Sequence, residues 1–196
     1  MVQVIPGGQG FEDGSLTGQL LIAMPTMLDS RFSQAVIFIC AHTPDGAMGI
    51  VLNQPLAKPR FSELLGQLGI TPLPPQREIR LAKGGPVDDN RGFVLHTPDW
   101  VTDGSLQVDA AHALTASLDI LKAIAEGGGP RQGVLALGYS GWGPGQLDAE
   151  ILQNSWLNVP ADEQIVFDAE HATKWQRALA KLRIDPAMLS STAGRA

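Results

Sequence analysis

Short apolar runs separated by polar, glycine-containing turns dominate the first half of the chain. Runs of strand length, several of them continuous and others alternating, occur at 18–23, 35–41, 48–53, 78–83 and 92–96. Continuous runs are typical of buried strands, whereas alternation indicates a strand with one exposed face. The turn at 43–46 joins the second and third of these runs, which predicts a β-hairpin.

Helical spacing first occurs in the segment 61–68, and Gly69 follows it as a helix stop. Its apolar residues recur at i, i+3, i+4 and i+7: Phe61, Leu64, Leu65 and Leu68. A proline-rich connection over 70–77 comes next. The later pattern predicts a helix at 114–124, a strand at 133–138, a helix at about 145–157, a strand around 164–167 and a helix at 175–182. Hairpins followed by helix–strand alternation predict a mixed α/β fold with a partly antiparallel sheet.

The length of 196 residues predicts one domain over 1–196, with a loose lead-in at 1–15 and a frayed tail at 189–196. No apolar run approaches the ~18 residues of a membrane span. The N-terminus lacks the pattern of a signal peptide. The single cysteine, Cys40, excludes an internal disulfide and fits a reducing compartment, so a cytoplasmic protein is expected.

The net charge is −6, and the 14 basic residues are scattered along the chain. Phosphate repels an acidic protein unless one face is locally basic, so nucleic acid is a disfavoured partner. No predicted helix is markedly basic, and nothing resembles a helix-turn-helix. An unknown protein or a small molecule is the expected partner.

A glycine-rich segment over 138–150 follows the predicted strand at 133–138. A nucleophile elbow needs glycine two residues after its serine, but here Gly141 follows Ser140 directly. A phosphate cradle is weakened by the absence of a Lys-Ser/Thr pair and by Asp148 and Glu150 in the first turns of the following helix. The remaining interpretation is a tight turn whose aromatic residues pack into the core or line a groove.

The histidines and the cysteine offer weaker alternatives. His42 and His96 each end a strand, and they would converge on a metal only if those strands were neighbours, with Asp45, Asp88 or Asp99 nearby. Local metal-ligand spacing is absent, so neither a metal site nor a cofactor is predicted. Cys40 lies within an apolar run and is interpreted as a small buried hydrophobic residue.

Several motifs resemble, in order, those of the AlgH/YqgE family of bacterial proteins over roughly residues 15–194. They are LTGQLLIAMP (16–25), Phe32, HTPDGAMGIVLN (42–53), GGPV (84–87), FVLH (93–96), GYSGWG (138–143), GQL (145–147), Glu150 and Trp156. Asp148 departs from the family, which more usually has Glu at this position. The resemblance implies a bifurcated, mostly antiparallel sheet curled into a pseudo-barrel with flanking helices. It implies no catalytic residue, although one branch of the family carries the label of transcriptional regulator.

We therefore expect a binding or regulatory protein rather than an enzyme. The turn Gly84–Val87 is expected to form the floor of a groove shared with the segment 138–145. The candidate groove residues are Asn53, Gly84, Gly85, Pro86, His96, Tyr139, Ser140, Gly141, Trp142, Gly143 and Gln146. The alternatives are a hydrolase that uses Ser140 or a site of His96 with an aspartate, and a DNA-associated regulator.

Overall fold

Within residues 14–189, a ten-stranded, mostly antiparallel sheet curls into a half-barrel and carries five α-helices. The computed structural model describes residues 14–189, so the predicted lead-in and tail lie almost entirely outside the described residues. The strands are β1 (Gln19–Ala23), β2 (Val36–Thr43), β3 (Gly46–Val51), β4 (Pro55–Leu56), β5 (Arg80–Lys83), β6 (Val87–His96), β7 (Leu106–Gln107), β8 (Ala113–Thr115), β9 (Gly133–Trp142) and β10 (Trp156–Pro160). The helices are α1 (Phe61–Leu68), α2 (Leu118–Ala125), α3 (Gln146–Leu152), α4 (Glu163–Phe167) and α5 (Lys174–Lys181).

Strand β9 is the point at which the sheet bifurcates. Along one edge, its first part pairs in parallel with β5, from Val134 to Leu137. Its last part, from Ser140 to Trp142, pairs instead with β3 in an antiparallel register. Strand β6 also pairs with β9, in an antiparallel register. The main path runs β10-β1-β2-β3-β9-β6-β8-β7, with β5 and β4 as the branch.

Local signals account for most of the predicted elements. The β2–β3 hairpin and β1 form where continuous apolar runs predicted them, and their inward residues are buried. Helix α1 ends at Gly69, whose φ of 67° is the left-handed conformation that glycine adopts without a steric penalty. The mixed α/β class is confirmed, and its bifurcated sheet agrees with the arrangement expected from the resemblance.

Three predictions in the second half were wrong. The run at 164–167 is helix α4 rather than a strand, because Asp162 caps it by accepting the Ile165 N–H at 2.8 Å. Leu114 lies on β8, and the adjacent helix α2 begins only at Leu118. The helix expected to reach 157 stops at Leu152, and the chain turns into β10.

Candidate functional site

The two glycine motifs meet where the chain crosses over strand β9. Strand β5 pairs with β9 as far as Lys83, which is opposite Leu137. Strand β6 then begins at Val87, which already pairs with Tyr139 of the same strand β9. The connecting residues Gly84 and Gly85 pass against the backbone of β9 in between. A Cβ atom at Gly85 would overlap the carbonyl group of Tyr139, and one at Gly138 would lie 2.6 Å from the Gly85 oxygen. Glycine is therefore required on both sides because backbone contacts backbone.

Ser140 fastens this crossing and lies inside the sheet. Its side chain is fully buried, and its hydroxyl donates to the Gly84 carbonyl oxygen at 3.3 Å. The same carbonyl accepts the Val51 N–H at 2.9 Å. A nucleophilic serine needs a base within hydrogen-bond reach and access to a substrate. Ser140 instead stabilises the close approach of two backbone segments.

The rest of the glycine-rich motif forms a hydrogen-bonded clasp around one carboxylate. Oε2 of Glu150 accepts the indole N–H groups of Trp142 and Trp156, each at 2.8 Å. Oε1 of Glu150 accepts from the side-chain amide of Gln146 at 3.0 Å, and the Gln146 oxygen accepts the Gly143 N–H at 3.0 Å. Strand β9 continues to Trp142 and α3 begins at Gln146, so the turn is confined to residues 143–145. This clasp joins β9, α3 and β10.

His42 and His96 lie at opposite ends of the sheet. His42 is opposite Ala47, which is opposite Trp142 at the end of β9. His96 is opposite Gly133 at the beginning of the same strand. Nine residues of β9 separate the two positions, a length of at most roughly 30 Å at ~3.3 Å per residue. Within residues 14–189 no group of three or more His, Cys, Asp or Glu side chains could hold a metal ion.

His96 is a fully buried neutral histidine. Its Nδ1 lies 2.8 Å from the Thr97 carbonyl oxygen, which can only accept, so Nδ1 carries the proton. The Thr115 hydroxyl lies 2.7 Å from Nε2 and donates to it. Burial lowers the pKa of His96, against smaller opposing effects of Thr97 and Asp99. Both ring nitrogens are thus used inside the protein.

His42 instead contacts α3, and Cys40 is inert. Nδ1 of His42 accepts the Leu16 N–H at 3.0 Å, so the proton is on Nε2, which lies 3.4 Å from the Asp148 carboxylate. The Cys40 thiol is buried, and this burial raises its pKa. The interpretation of Cys40 as a small core residue is confirmed by its place among the buried apolar residues.

Asn53 supports the start of β2. Its side-chain oxygen accepts the Val36 N–H at 3.0 Å, and its amide donates to the Gln34 carbonyl oxygen at 2.8 Å. Tyr139 packs edge-on against Phe93, with ring centroids 5.7 Å apart. These two predicted groove residues therefore have structural contacts of their own.

A polar cleft of about 210 Å³ lies beside the crossing, and we call it the Lys83 cleft. It is lined by Ser30, Arg31, Phe32, Val51, Gln54, Lys83, Gly85 and Pro86. The Arg31 guanidinium is held by Asp29, with Nη2 to Oδ2 at 2.7 Å. The Gln54 amide donates to the Arg31 carbonyl oxygen at 3.0 Å, which ties the two sides together. Among residues 14–189 Lys83 has no ion-pair partner.

The structure thus separates the eleven predicted groove residues into different places. Gly85 and Pro86 line the Lys83 cleft, whereas Gly84 and Ser140 form the crossing behind it. Trp142, Gly143 and Gln146 belong to the clasp; Asn53, Tyr139 and His96 have the contacts described above, and Gly141 pairs with Met48. Sequence reasoning missed Arg31, Gln54 and Lys83 as cleft residues. Two features of the sequence could have indicated them. Phe32, next to Arg31, belongs to the family motifs, and Lys83 directly precedes Gly84.

Comparisons with known proteins agree over nearly the whole chain. A family model described as AlgH-like matches residues 20–187. The chain is 53% identical over 184 residues to a UPF0301 protein of Rhodospirillum rubrum, which covers 94% of this chain and 96% of that protein. It is 52% identical over 183 residues to a UPF0301 protein of Gluconobacter oxydans, covering 92% and 98%.

Two solved structures share the fold. The solution structure of the AlgH protein from Pseudomonas aeruginosa superposes with a TM-score of 0.76 at 39% identity and covers 100% of both chains. A crystal structure of a Corynebacterium diphtheriae protein superposes with a TM-score of 0.70 at 20% identity, covering 93% of this chain and 95% of that one. None of the helices within residues 14–189 has the length and apolar character of a membrane-spanning helix.

Proposed function

The chain belongs to the AlgH-like family, and on that premise we propose that it is a non-catalytic binding protein with a regulatory role. Its ligand is a small anionic molecule, which it holds in the Lys83 cleft. The observation that supports this most directly is the Lys83 ammonium, which lines the cleft with no ion-pair partner among residues 14–189.

The charges around the cleft favour an anion. The chain has a net charge of −6, yet the two charged residues that line the cleft within residues 14–189, Arg31 and Lys83, are both basic. Asp29 neutralises Arg31 and fixes its orientation, because it accepts from both Nε and Nη2. Lys83 therefore supplies the uncompensated charge. An anion between these groups would make charge-assisted hydrogen bonds, which are stronger than hydrogen bonds between neutral groups.

The size of the cleft limits the ligand class. Clefts for drug-sized molecules are typically ~300–1,000 Å³. A cleft of about 210 Å³ is smaller, and it matches a metabolite that carries one or two carboxylate or phosphate groups. The Phe32 ring and Pro86 add apolar surface for a short carbon chain. We also propose that the protein is cytoplasmic, which is the compartment that its single cysteine predicts.

The contacts favour a binding role over hydrolysis. Ser140 is fully buried and donates to Gly84, and His96 uses both ring nitrogens within the protein. Neither group has the partner and access that nucleophilic or general-base catalysis requires. A DNA-associated role has weaker support. Binding to DNA depends on several lysine or arginine contacts to phosphate, and the 14 basic residues of this chain are scattered along the sequence.

Calorimetric titration of the full chain tests this proposal directly. The ligands are a panel of dicarboxylates, monocarboxylates and phosphorylated metabolites at low ionic strength, with inorganic phosphate as the simplest phosphate probe. Replacing Lys83 with Gln should weaken the best ligand by roughly 10- to 100-fold, because one charge-assisted hydrogen bond contributes ~1.5–3 kcal/mol. The matched control is Lys122→Gln on the exposed face of α2, which should leave the affinity unchanged.

The proposal fails if no member of the panel binds the wild-type chain, or if Lys83→Gln binds as tightly as the wild type. The pattern of binding also separates the two anion types, because carboxylates and phosphates form different arms of the panel. Binding of a duplex DNA probe whose affinity falls steeply with salt would instead support the DNA-associated role.

A further inference from the structure

A second surface lies at the free edge of the sheet, away from the residues of the Lys83 cleft. Strand β10 ends the main path of the sheet, and within residues 14–189 no other strand pairs with its outer edge. A cavity of about 290 Å³ lies next to this edge, between β10 and α3. It is lined by Gly14, Leu16, Asp148, Ile151, Leu152 and Asn158, which we call the β10 groove.

The backbone of β10 presents hydrogen-bonding groups outward. Ser155 and Ala161 flank β10, and their backbone groups bond to Met24 and Gly18, which flank β1. The backbone groups of the residues between them therefore alternate in direction. The backbone N–H and C=O groups of Leu157 and Val159 consequently face β1. The backbone groups of Trp156 and Asn158 face away from the sheet, whereas the Pro160 carbonyl oxygen already accepts from the ammonium of Lys181 at 2.7 Å. The free part of the edge is short and centred on Asn158.

The β10 groove takes a side chain from whatever pairs with this edge. Residues directly opposite one another on neighbouring strands place their side chains on the same face of the sheet. Because Asn158 lines the groove, a residue paired with Asn158 would direct its side chain into it. The groove offers Leu16, Ile151 and Leu152, and Leu152 is 84% exposed although it is aliphatic.

Among residues 14–189, Asp148 is the one charged residue that lines the groove. Its side chain is 58% exposed, and His42 contacts it on the inner side. We propose that the β10 edge and its groove bind an extended peptide segment of a partner protein, with an aliphatic residue opposite Asn158 and a basic residue two positions away. Backbone hydrogen bonds would supply affinity, and the groove with Asp148 would supply specificity, as in other cases of strand addition.

A second copy of this chain fits the surface less well. The β10 sequence, Trp-Leu-Asn-Val-Pro, contains no basic residue. A symmetric pair of β10 strands would also bring two Asp148-bearing grooves of like charge together. A symmetric pair would also lack the Pro160 N–H donor on both strands, whereas a peptide partner meets this loss on one strand only. Self-association through this edge is therefore an alternative outcome of the experiment rather than the expected one.

Selection from a displayed library of random seven-residue peptides against the full chain tests the proposal. We expect the enriched peptides to share an aliphatic residue followed or preceded, two positions away, by Lys or Arg. Their dissociation constants, measured by fluorescence polarisation, should rise at least tenfold for Leu152→Glu and for Asp148→Lys. The matched controls are Leu28→Glu and Asp103→Lys, since both residues are exposed and neither lines the groove.

Three results would overturn the proposal. The first is a selection that enriches no peptide, or only peptides without the aliphatic and basic pair. The second is an affinity that Leu152→Glu and Asp148→Lys leave unchanged while both variants keep the wild-type circular dichroism spectrum. The third is concentration-dependent dimerisation in sedimentation that Leu152→Glu abolishes, which would assign the surface to a second copy of the chain.

Discussion

The indole N–H of Trp142 donates to Oε2 of Glu150 at 2.8 Å, and the indole of Trp156 donates to the same oxygen at the same distance. One carboxylate thus joins the end of β9 to the start of β10 through α3. Hydrogen bonds to a charged acceptor are stronger than those between neutral groups. The glycine-rich motif therefore has a structural function that does not require a bound ligand.

Replacement of Glu150 by Gln should destabilise the fold. The amide has one acceptor oxygen, so it cannot accept from both indoles and also from Gln146. We expect the free energy of unfolding in urea to fall by about 1–3 kcal/mol, with a change in tryptophan fluorescence in the folded state. Glu78→Gln is the control, because Glu78 is exposed. Equal stabilities of the Glu150→Gln and Glu78→Gln variants would mean that the clasp contributes nothing.

Glycine-to-alanine substitutions should lower the stability of the protein at the crossing but not at the clasp. Gly85→Ala places a Cβ against the Tyr139 carbonyl group at a residue with φ of 155°, so we expect a loss of ~3 kcal/mol or insoluble protein. In Gly143→Ala the new Cβ has only the Gln146 side chain near it, at 3.9 Å. That variant should retain nearly the wild-type midpoint in thermal unfolding. A Gly85→Ala protein of unchanged midpoint would show that the crossing can widen.

Lys174 should make stability depend on pH in the alkaline range. Its side chain is fully buried, with Nζ 3.1 Å from the Asp168 carbonyl oxygen and 3.4 Å from that carboxylate. Burial lowers the pKa of Lys174 to about 8, against the opposing effect of Asp168. Between this value and about 10.5, the unfolded chain keeps a proton that the folded chain has lost. The free energy of unfolding should therefore rise across this window, by up to about 3 kcal/mol.

Comparison with Lys174→Met isolates this contribution. The raised pKa of the Cys40 thiol acts in the opposite direction above about pH 9, because the unfolded chain then loses a proton that the folded chain retains. This effect is present in both proteins and cancels in their difference. Urea unfolding from pH 7 to 10 should show the wild type gaining stability relative to the variant. A constant difference across that range would contradict the prediction.

Below about pH 6.5, the buried His96 and the half-buried His171 should lower the free energy of unfolding. Burial lowers the pKa values of both His96 and His171, so the unfolded chain takes up protons first as the pH falls below about 6.5. The free energy of unfolding should therefore decrease between pH 6.5 and 5. The decrease should be smaller in His96→Gln and smaller again when His171→Gln is added. Carboxylates with lowered pKa values, such as Asp168, contribute mainly at lower pH.

Sequence reasoning succeeded where the deciding contacts were local. Gly69 ended α1 as expected, because the left-handed conformation after a helix depends on that residue alone. It failed at 164–167, because a short apolar run fits a strand or a buried helix equally well. The cap at Asp162 and the burial of Ile165, Val166 and Phe167 on one compact turn decided for the helix.

The sequence by itself determined the mixed α/β class, the first hairpin and the motifs that must be glycine-rich, since these depend on local periodicity and on backbone conformation. Only the tertiary structure decided what the glycines do. Gly85 and Tyr139 are far apart in the chain, and so are Arg31 and Lys83, yet each pair is brought to one place by the branching of the sheet at β9. Strand register is a long-range property, so no local pattern contains the crossing, the clasp or the Lys83 cleft.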